Sequence, residues 1–432
     1  MSVEHCEMCL EVELNGRAAA GRPVEVGESM PRLILRTDGI DVMAGLGSLA
    51  PGYTLLVPHR HVPSSGDLEP HERAVLHATA RVVGQEIEKV FGCRVALVEH
   101  GSSGKASGRS GGGCITHCHL HLLPLARDVD PEILVPRESH RIDDLSPLVT
   151  AASRRENYYY CSWFASGGHF STNPQLSSQH ARRIWAHSLG QPDQWDWALF
   201  PYIDNCRITV ESLRPSEAHM SERLSAAIVD ETIATYTGNA ARYAADTEKF
   251  AVNSTLPGQM DALLKATTGP VLDAGAGAGR DAEYMAATGR TVIALDASGT
   301  LLTELEWDHA FGRVVGDVRR IPLADSSVGA IWCSAVLLHL GQRDVRHALR
   351  DLARVLRPGG LMQISVKRGR GMRTEPLADS GTLRHFFLYD ADQLCAMAVA
   401  AGLEVVRTWT EDEDGSARTL QNWAKIVTRK PG

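Results

Sequence analysis

Val271-Leu272-Asp273-Ala274-Gly275-Ala276-Gly277-Ala278-Gly279-Arg280-Asp281 reads as a short apolar strand that runs into a glycine turn and opens a helix. Glycines in such a turn let the backbone and a helix N-terminus come close to a nucleotide-like ligand. The dinucleotide fingerprint Gly-x-Gly-x-x-Gly fails, because the sixth position counted from Gly275 is Arg280. Asp273, just before the turn, points to a different ligand. Working outward, Thr291-Val292-Ile293-Ala294-Leu295-Asp296 is a second strand, and Gly316-Asp317 ends a third. The stretch from Arg343 to Arg357 puts Val345, Ala348, Leu349, Leu352, Val355 and Leu356 on one helical face, and Leu356-Arg357-Pro358-Gly359-Gly360 stops it. Strands alternating with helices from about residue 265 onward predict a parallel sheet.

The whole chain has 432 residues, 44% hydrophobic and 22% charged, a soluble globular balance that divides into two or three domains. With 44 Lys+Arg against 52 Asp+Glu, the net charge of −8 lacks the basic field of a general nucleic-acid binder and leaves small, anionic ligands open. No stretch approaches the roughly 18 apolar residues of a membrane span, and Met1-Ser2-Val3-Glu4-His5-Cys6 has no basic region before an apolar run, so a cytoplasmic protein is expected. Nine Cys, an odd count, are expected to be reduced, metal-bound or buried rather than paired as a disulfide framework. Leu213-Arg214-Pro215-Ser216-Glu217 marks a boundary before a new helical run near Ser221. Upstream of it, Tyr158-Tyr159-Tyr160 and Trp163, Trp185, Trp195 and Trp197 are expected in core packing. The expected division is 1–145, a Trp-rich extension 146–215 packed on it, and 216–432.

In the first segment a helix is predicted after Pro70-His71-Glu72, with Leu76, Ala80, Val83, Ile87, Val90 and Phe91 at helical spacing. It lies between the strand-like runs Tyr53–Pro58 and Arg94–Val98. The Gly/Ser-rich loop from Gly101 to Gly113 reads as a flexible surface loop, with phosphate cradling by its amides as the alternative. Gly104-Lys105-Ala106 lacks the Gly-Lys-Ser/Thr end of a P-loop. His117-Cys118-His119-Leu120-His121-Leu122-Leu123-Pro124 alternates along a strand, which places three imidazoles on one face. That spacing suits a metal cluster or a nucleophilic His held between partners. Cys6-Glu7-Met8-Cys9 is a Cys-x-x-Cys, read as a metal-ligand pair, a redox pair or chance.

Together with Gly52-Tyr53-Thr54-Leu55-Leu56-Val57-Pro58-His59-Arg60-His61, the His run resembles the histidine triad (HIT) superfamily of nucleotidyl hydrolases and transferases, over roughly residues 3 to 140. The resemblance implies an α+β, nucleotide-binding domain. His119 would be the nucleophile at an α-phosphorus, oriented by a backbone carbonyl, and His121 would contact the phosphoryl oxygens. Cys114 stands where relatives often place a Ser, and a thiol is the weaker donor. Zinc-containing members imply a closed structural Zn²⁺ site at Cys6, Cys9, His61 and His117, with His59 as an alternate ligand. The resemblance also leaves open a homodimer formed through this domain.

Asp-x-Gly-x-Gly-x-Gly from Asp273, Asp296 ending the next strand, Gly316-Asp317 and Leu-x-Pro-Gly-Gly from Leu356 occur in order, and together resemble class I S-adenosylmethionine-dependent methyltransferases. This implies a Rossmann-like α/β domain with a seven-stranded, mostly parallel sheet that binds S-adenosyl-L-methionine. Gly275 and Gly277 would lie against the cofactor, Asp296 on its ribose hydroxyls, Asp317 with Val318 on the adenine, and Asp273 at the amino-acid end. Tyr236 would belong to a covering helix. His339 is expected either to meet the methyl acceptor as a base or to pack under the cofactor. Lys367, Arg368, Arg370 and Arg373 form a solvated basic loop or recognise an acceptor phosphate.

The resulting expectation is a bifunctional enzyme. His119 would cleave or transfer at the phosphorus of a nucleotide-derived or phosphorylated small molecule, and the second domain would methylate N or O of that molecule or its product, as in specialised metabolism. One alternative is a methyltransferase whose HIT domain only binds a nucleotide or mediates assembly. Another is an RNA-modifying methyltransferase, which the acidic charge and the lack of a basic-aromatic stripe disfavour.

Overall fold

The computed structural model describes residues 6–13, 32–37, 39–102, 117–164, 167–251, 254–377, 382–413 and 421–432. Cys114 and the loop around Lys105 lie outside them. The chain forms two compact units, residues 1–224 and 225–432. Among the described residues, no helix is long and apolar enough to cross a membrane.

The first unit is built on eight strands: β1 (Leu33–Arg36), β2 (Ile40–Ala44), β3 (Thr54–Pro58), β4 (Arg94–Gly101), β5 (Leu120–Leu125), β6 (His140–Ile142), β7 (Tyr158–Ser162) and β8 (Gly168–Thr172). Their order is β1-β2-β3-β5-β4-β7-β8-β6, antiparallel throughout. The helix Pro70–Phe91 starts with a proline where its missing N–H costs nothing, carries a Glu69/Glu72 capping box and ends at Gly92 with φ +66°. Leu76, Ala80, Val83 and Ile87 are buried on the sheet, while Val90 reaches solvent. Part of segment 146–215 completes the sheet rather than only covering it, since β7 is buried at all five positions and pairs with β4. Trp185 is fully buried and donates through Nε1 to the Pro124 carbonyl at 2.8 Å; Trp163, Trp195 and Trp197 are only partly buried. Pro215 opens a single 3-10 turn, Arg214–Ser216, between the helices Ile203–Leu213 and Glu217–Gly238.

The second unit contains β9 (Val271–Ala274), β10 (Val292–Asp296), β11 (Gly312–Val315), β12 (Val328–Ser334), β13 (Leu356–Lys367), the hairpin β14 (Met372–Pro376) and β15 (Leu383–Phe387), then β16 (Glu404–Glu413) and β17 (Gln421–Arg429). The seven-stranded sheet runs β11-β10-β9-β12-β13-β17-β16. Its first five strands are parallel and β17 is antiparallel to both neighbours. β9 and β12 are almost wholly buried, as expected of strands covered on both faces. The strand order reverses at β9, which lies between β10 and β12. In an open α/β sheet the crevice outside the carboxyl ends of the strands at such a switch point is the ligand site.

Candidate functional sites

In the first unit, Cys6 and Cys9 are three residues apart at the helix Glu7–Glu13, so their thiols share one face. His61 follows β3 and His117 precedes β5. The Sγ atoms of Cys6 and Cys9 and one ring nitrogen each of His61 and His117 lie within 4.8 Å of one another. Cys9 Sγ is 3.2 Å from His61 Nδ1 and 3.4 Å from His117 Nδ1, and Cys6 Sγ is 3.5 Å from His117 Nδ1. Tetrahedral zinc with ordinary Zn–S and Zn–N bonds sets sulfur and nitrogen about 3.6 Å apart. The donor set therefore fits a closed Cys₂His₂ metal site. His117 Nε2 donates to the Pro58 carbonyl at 2.8 Å, which leaves Nδ1 as the lone-pair nitrogen. Burial and the neighbouring Cys6 push the Cys9 thiol up to about 12, so a cation in the cluster is what would deprotonate it near neutrality. His59 is outside this set and is bonded to the Asp41 carboxylate at 2.9 Å.

The triad continues from the same residue. His119 Nδ1 donates to the His117 carbonyl at 2.7 Å, which keeps the Nε2 lone pair available. Burial holds His119 below the usual imidazole range and His121 further below it. The two rings are 4.7 Å apart, and His121 Nδ1 is hydrogen-bonded to the Tyr53 hydroxyl at 2.8 Å. Two neighbours escaped sequence reasoning. His100 on β4 sits edge-on to His121 at 6.0 Å. Arg182, 4% exposed, lies over the Tyr53 ring at 5.4 Å and donates to the Trp195 and Gly47 carbonyls, while its Nη1 has no partner. Among the described residues no carboxylate pairs with Arg182, and a buried guanidinium in that state calls for an anion. No motif singles out Arg182 from its neighbour Arg183 in the helix His180–Ser188.

In the second unit, the carboxyl ends of β9 and β10 open into a cleft lined by Gly275, Gly277, Asp296, Asp317, Val318, Tyr236 and His339. Gly275 has φ +77° and a Cβ there would sit 2.4 Å from Val336, so a side chain is excluded. Gly277 has φ +59°, a backbone conformation that favours glycine, and a Cβ there would lie in ordinary van der Waals contact with Tyr243 and Leu301 at 3.8 and 3.9 Å. Asp296 accepts the Ser298 N–H on Oδ1 and the Gly277 N–H on Oδ2, both at 2.9 Å. Each oxygen keeps acceptor capacity for one hydroxyl of a vicinal diol. Asp317 is held by Arg319 at 2.6 Å, and Arg319 bonds Asp344 at 3.0 Å. Asp273 is buried at the end of β9 behind the cleft, its Oδ2 without a partner, and burial with Asp281 nearby pushes its carboxyl well up. The left-handed glycine turn at Gly275 and Gly277 and the spare acceptors of Asp296 fit a nucleoside ligand.

His339 Nδ1 donates to the His385 carbonyl at 2.7 Å, and its Nε2 meets the Tyr236 hydroxyl at 3.1 Å. The imidazole is thus neutral, held down to about 3 by burial, and its one acceptor nitrogen is engaged by Tyr236. Of the basic residues expected in a loop, Lys367 is the last residue of β13 and turns inward onto Glu375 at 3.0 Å, while Arg368, Arg370 and Arg373 are exposed.

The HIT domain family matches residues 27–128 and the Methyltransferase domain family matches residues 272–364. The chain carries an N-terminal HIT domain and a C-terminal methyltransferase domain. It is 37% identical over 114 residues to a malonyl-[acyl-carrier protein] O-methyltransferase of Pectobacterium atrosepticum, covering 24% of this chain and 42% of that protein. It is 32% identical over 93 residues to the asymmetrical bis(5'-nucleosyl)-tetraphosphatase of Schizosaccharomyces pombe, covering 22% of this chain and 48% of that protein. The chain thus spans less than half the length of either curated relative. Among solved structures it is similar to the 1,6-didemethyltoxoflavin-N1-methyltransferase of Burkholderia thailandensis, with 22% identity, a TM-score of 0.39, and coverage of 48% of this chain and 89% of that one.

Proposed function

We propose that the chain is a bifunctional enzyme: His119 cleaves or transfers at the phosphorus of a nucleotide-derived small molecule, and the C-terminal domain methylates N or O of that molecule or its product. The observation that carries this reading is the hydrogen bond from His119 Nδ1 to the His117 carbonyl, which fixes the tautomer with Nε2 as the free nucleophile. Nε2 forms a bond to phosphorus as the bond to the leaving group breaks, and the electron pair departs with that group. Water then attacks the nucleotidyl-histidine and restores the neutral imidazole. His121 contacts the phosphoryl oxygens. Similarity to the tetraphosphatase supports a nucleotide-derived substrate. Cys6, Cys9, His61 and His117 would hold a structural Zn²⁺ with no open position, so that its work is to anchor the residue whose carbonyl orients His119.

S-adenosyl-L-methionine, when bound, supplies an electrophilic methyl group on a sulfonium. Gly275 and Gly277 would give it room, Asp296 would accept from its ribose hydroxyls, Asp317 and Val318 would meet the adenine, and Asp273 would help hold the amino-acid end. Tyr236 and His339, joined by their hydrogen bond, stand between this cleft and a neighbouring cavity, so His339 acts by positioning the Tyr236 hydroxyl. Positioning supplies much of the acceleration of such an in-line transfer.

Intact mass spectrometry after exposure to nucleoside phosphoramidates, dinucleotides and nucleotide-linked metabolites tests the first activity. A nucleotidyl adduct is expected on the wild type. His119→Asn should abolish turnover by several orders of magnitude while retaining fold and metal, because His117 is untouched. Neither cleavage nor adduct across the panel would leave the HIT domain a binding module.

A further inference from the structure

The second unit has a cavity beside the proposed cofactor cleft, sharing Tyr236, Tyr243, Ala335 and His339 with it. Its floor is set by strand register. Ser365 pairs with Lys425 and Lys367 with Trp423 across β13 and β17, so these four side chains stand on one face of the sheet. Its roof is the hairpin, where Arg384 on β15 faces Glu375 on β14.

Three buried polar atoms of this one lining have no hydrogen-bond partner: Ser365 Oγ, Trp423 Nε1 and Arg384 Nε. Ser365 is only 2% exposed. The cations around them are otherwise matched, with Lys367 on Glu375, Lys425 on Glu411 and Arg280 on Asp281. Among the described residues no carboxylate pairs with Arg384. Its guanidinium lies over Tyr236 and Phe386 at 5.6 and 5.2 Å, with one long hydrogen bond of 3.5 Å from Nη1 to the Tyr236 hydroxyl. An indole N–H and a guanidinium only donate, and a serine hydroxyl can. A buried set of donors is satisfied by a ligand that only accepts, and beside a guanidinium that ligand is an anion.

We propose that this cavity binds a carboxylate or phosphate group carried by the methyl acceptor, with Arg384, Trp423 and Ser365 as its donors. The assignment to a methyl acceptor rests on the methyltransferase reading of the adjoining cleft.

The test uses the full chain labelled with ¹⁵N-tryptophan and loaded with S-adenosylhomocysteine. Of the eight tryptophan indole signals, the one missing in Trp423→Phe reports on this cavity alone. Inorganic phosphate and acetate are titrated separately, against sodium chloride at matched ionic strength. A saturable downfield shift of the Trp423 N–H with phosphate or with acetate is expected, and the anion that produces it identifies the acceptor's group. Arg384→Met should weaken that response about tenfold or more, through loss of a charge-assisted bond. Ser365→Ala, a milder change, should weaken it less, and the seven other indole signals report whether either variant keeps its fold. A Trp423 signal that neither anion moves, or a response unaltered in both variants, overturns the proposal. Calorimetry with S-adenosylhomocysteine separates the two readings. Cofactor binding with a silent Trp423 sinks the anion site alone, and an anion response without cofactor binding sinks the assignment to a methyl acceptor.

Discussion

If Cys6, Cys9, His61 and His117 hold zinc as proposed, its removal should undock the N-terminal helix and loosen the proposed phosphorus site with it. The helix Glu7–Glu13 has seven residues, well short of the length at which an isolated helix holds together in water. Ordering seven residues costs about 7–14 kcal/mol of backbone entropy. Burial of Met8, 4% exposed, returns only about 2–3 kcal/mol. The Glu11–Arg32 pair is fully buried, and the desolvation of both charges consumes most of its attraction. A structural zinc contributes on the order of 10–16 kcal/mol of folding energy near neutrality, enough to decide whether the helix is docked. The expected results are one zinc per chain by elemental analysis, a melting temperature of the first unit that falls by several degrees on chelation or in Cys9→Ala, and loss of amide protection over residues 6–13. Because the His117 carbonyl holds His119, phosphorus chemistry should fall in the same preparations although His119 itself is intact. A metal-free protein with unchanged melting temperature and unchanged protection at 6–13 would refute the reasoning.

Two further outcomes are expected. Asp296→Ala removes both acceptors of the ribose hydroxyls and also strands the Gly277 and Ser298 N–H groups, so affinity for S-adenosylhomocysteine should fall by about 1–3 kcal/mol, or ten- to hundredfold, by calorimetry; unchanged affinity would place the cofactor elsewhere. His77, whose Nε2 is shut off from water without a partner, is held down to about 4 by burial and by Arg73 and Arg81, from an ordinary value of 6.5. As pH falls through that window the unfolded chain takes the proton first, so up to about 3 kcal/mol of stability is lost between pH 6.5 and 4. His77→Leu should flatten that part of the denaturation profile, and a slope equal to the wild type's would exclude His77 as the cause.

The glycine turn, Asp296 and the apolar stripe of the helix Gln342–Val355 were legible because each expresses a local rule, a left-handed backbone, a strand end or a helical period. The cysteine and histidine cluster was legible only through family resemblance, since no periodicity links Cys6 to His117 across 111 residues. Segment 146–215 shows the reverse failure. Tyr158-Tyr159-Tyr160-Cys161-Ser162 has no polar alternation, so its aromatic content suggested covering layers, while the same continuous burial marks a central strand. Arg384 and Trp423 were invisible as site residues because cross-strand register and a hairpin bring them to one cavity, and register is a property of pairs of segments; Arg182 reaches the Tyr53 ring from the helix His180–Ser188, a contact no local pattern encodes. The basic residues from Lys367 to Arg373 look like one loop in the sequence, yet Lys367 ends β13 and alone faces inward, since alternation along the strand end separates it from Arg368.

The position of β17 has a consequence for synthesis. It is the last of the seven strands along the chain yet lies inside the sheet, between β13 and β16. While a ribosome is still making residues 421–429, β13 presents an open edge of N–H and C=O groups, and β16 has nowhere to dock. Such an edge is a template for pairing with another nascent chain. The methyltransferase sheet therefore closes only after translation has passed residue 429, whereas every strand of the first unit has already left the ribosome. A stop codon just upstream of β17 would yield a chain with a finished histidine-triad half tethered to an aggregation-prone one.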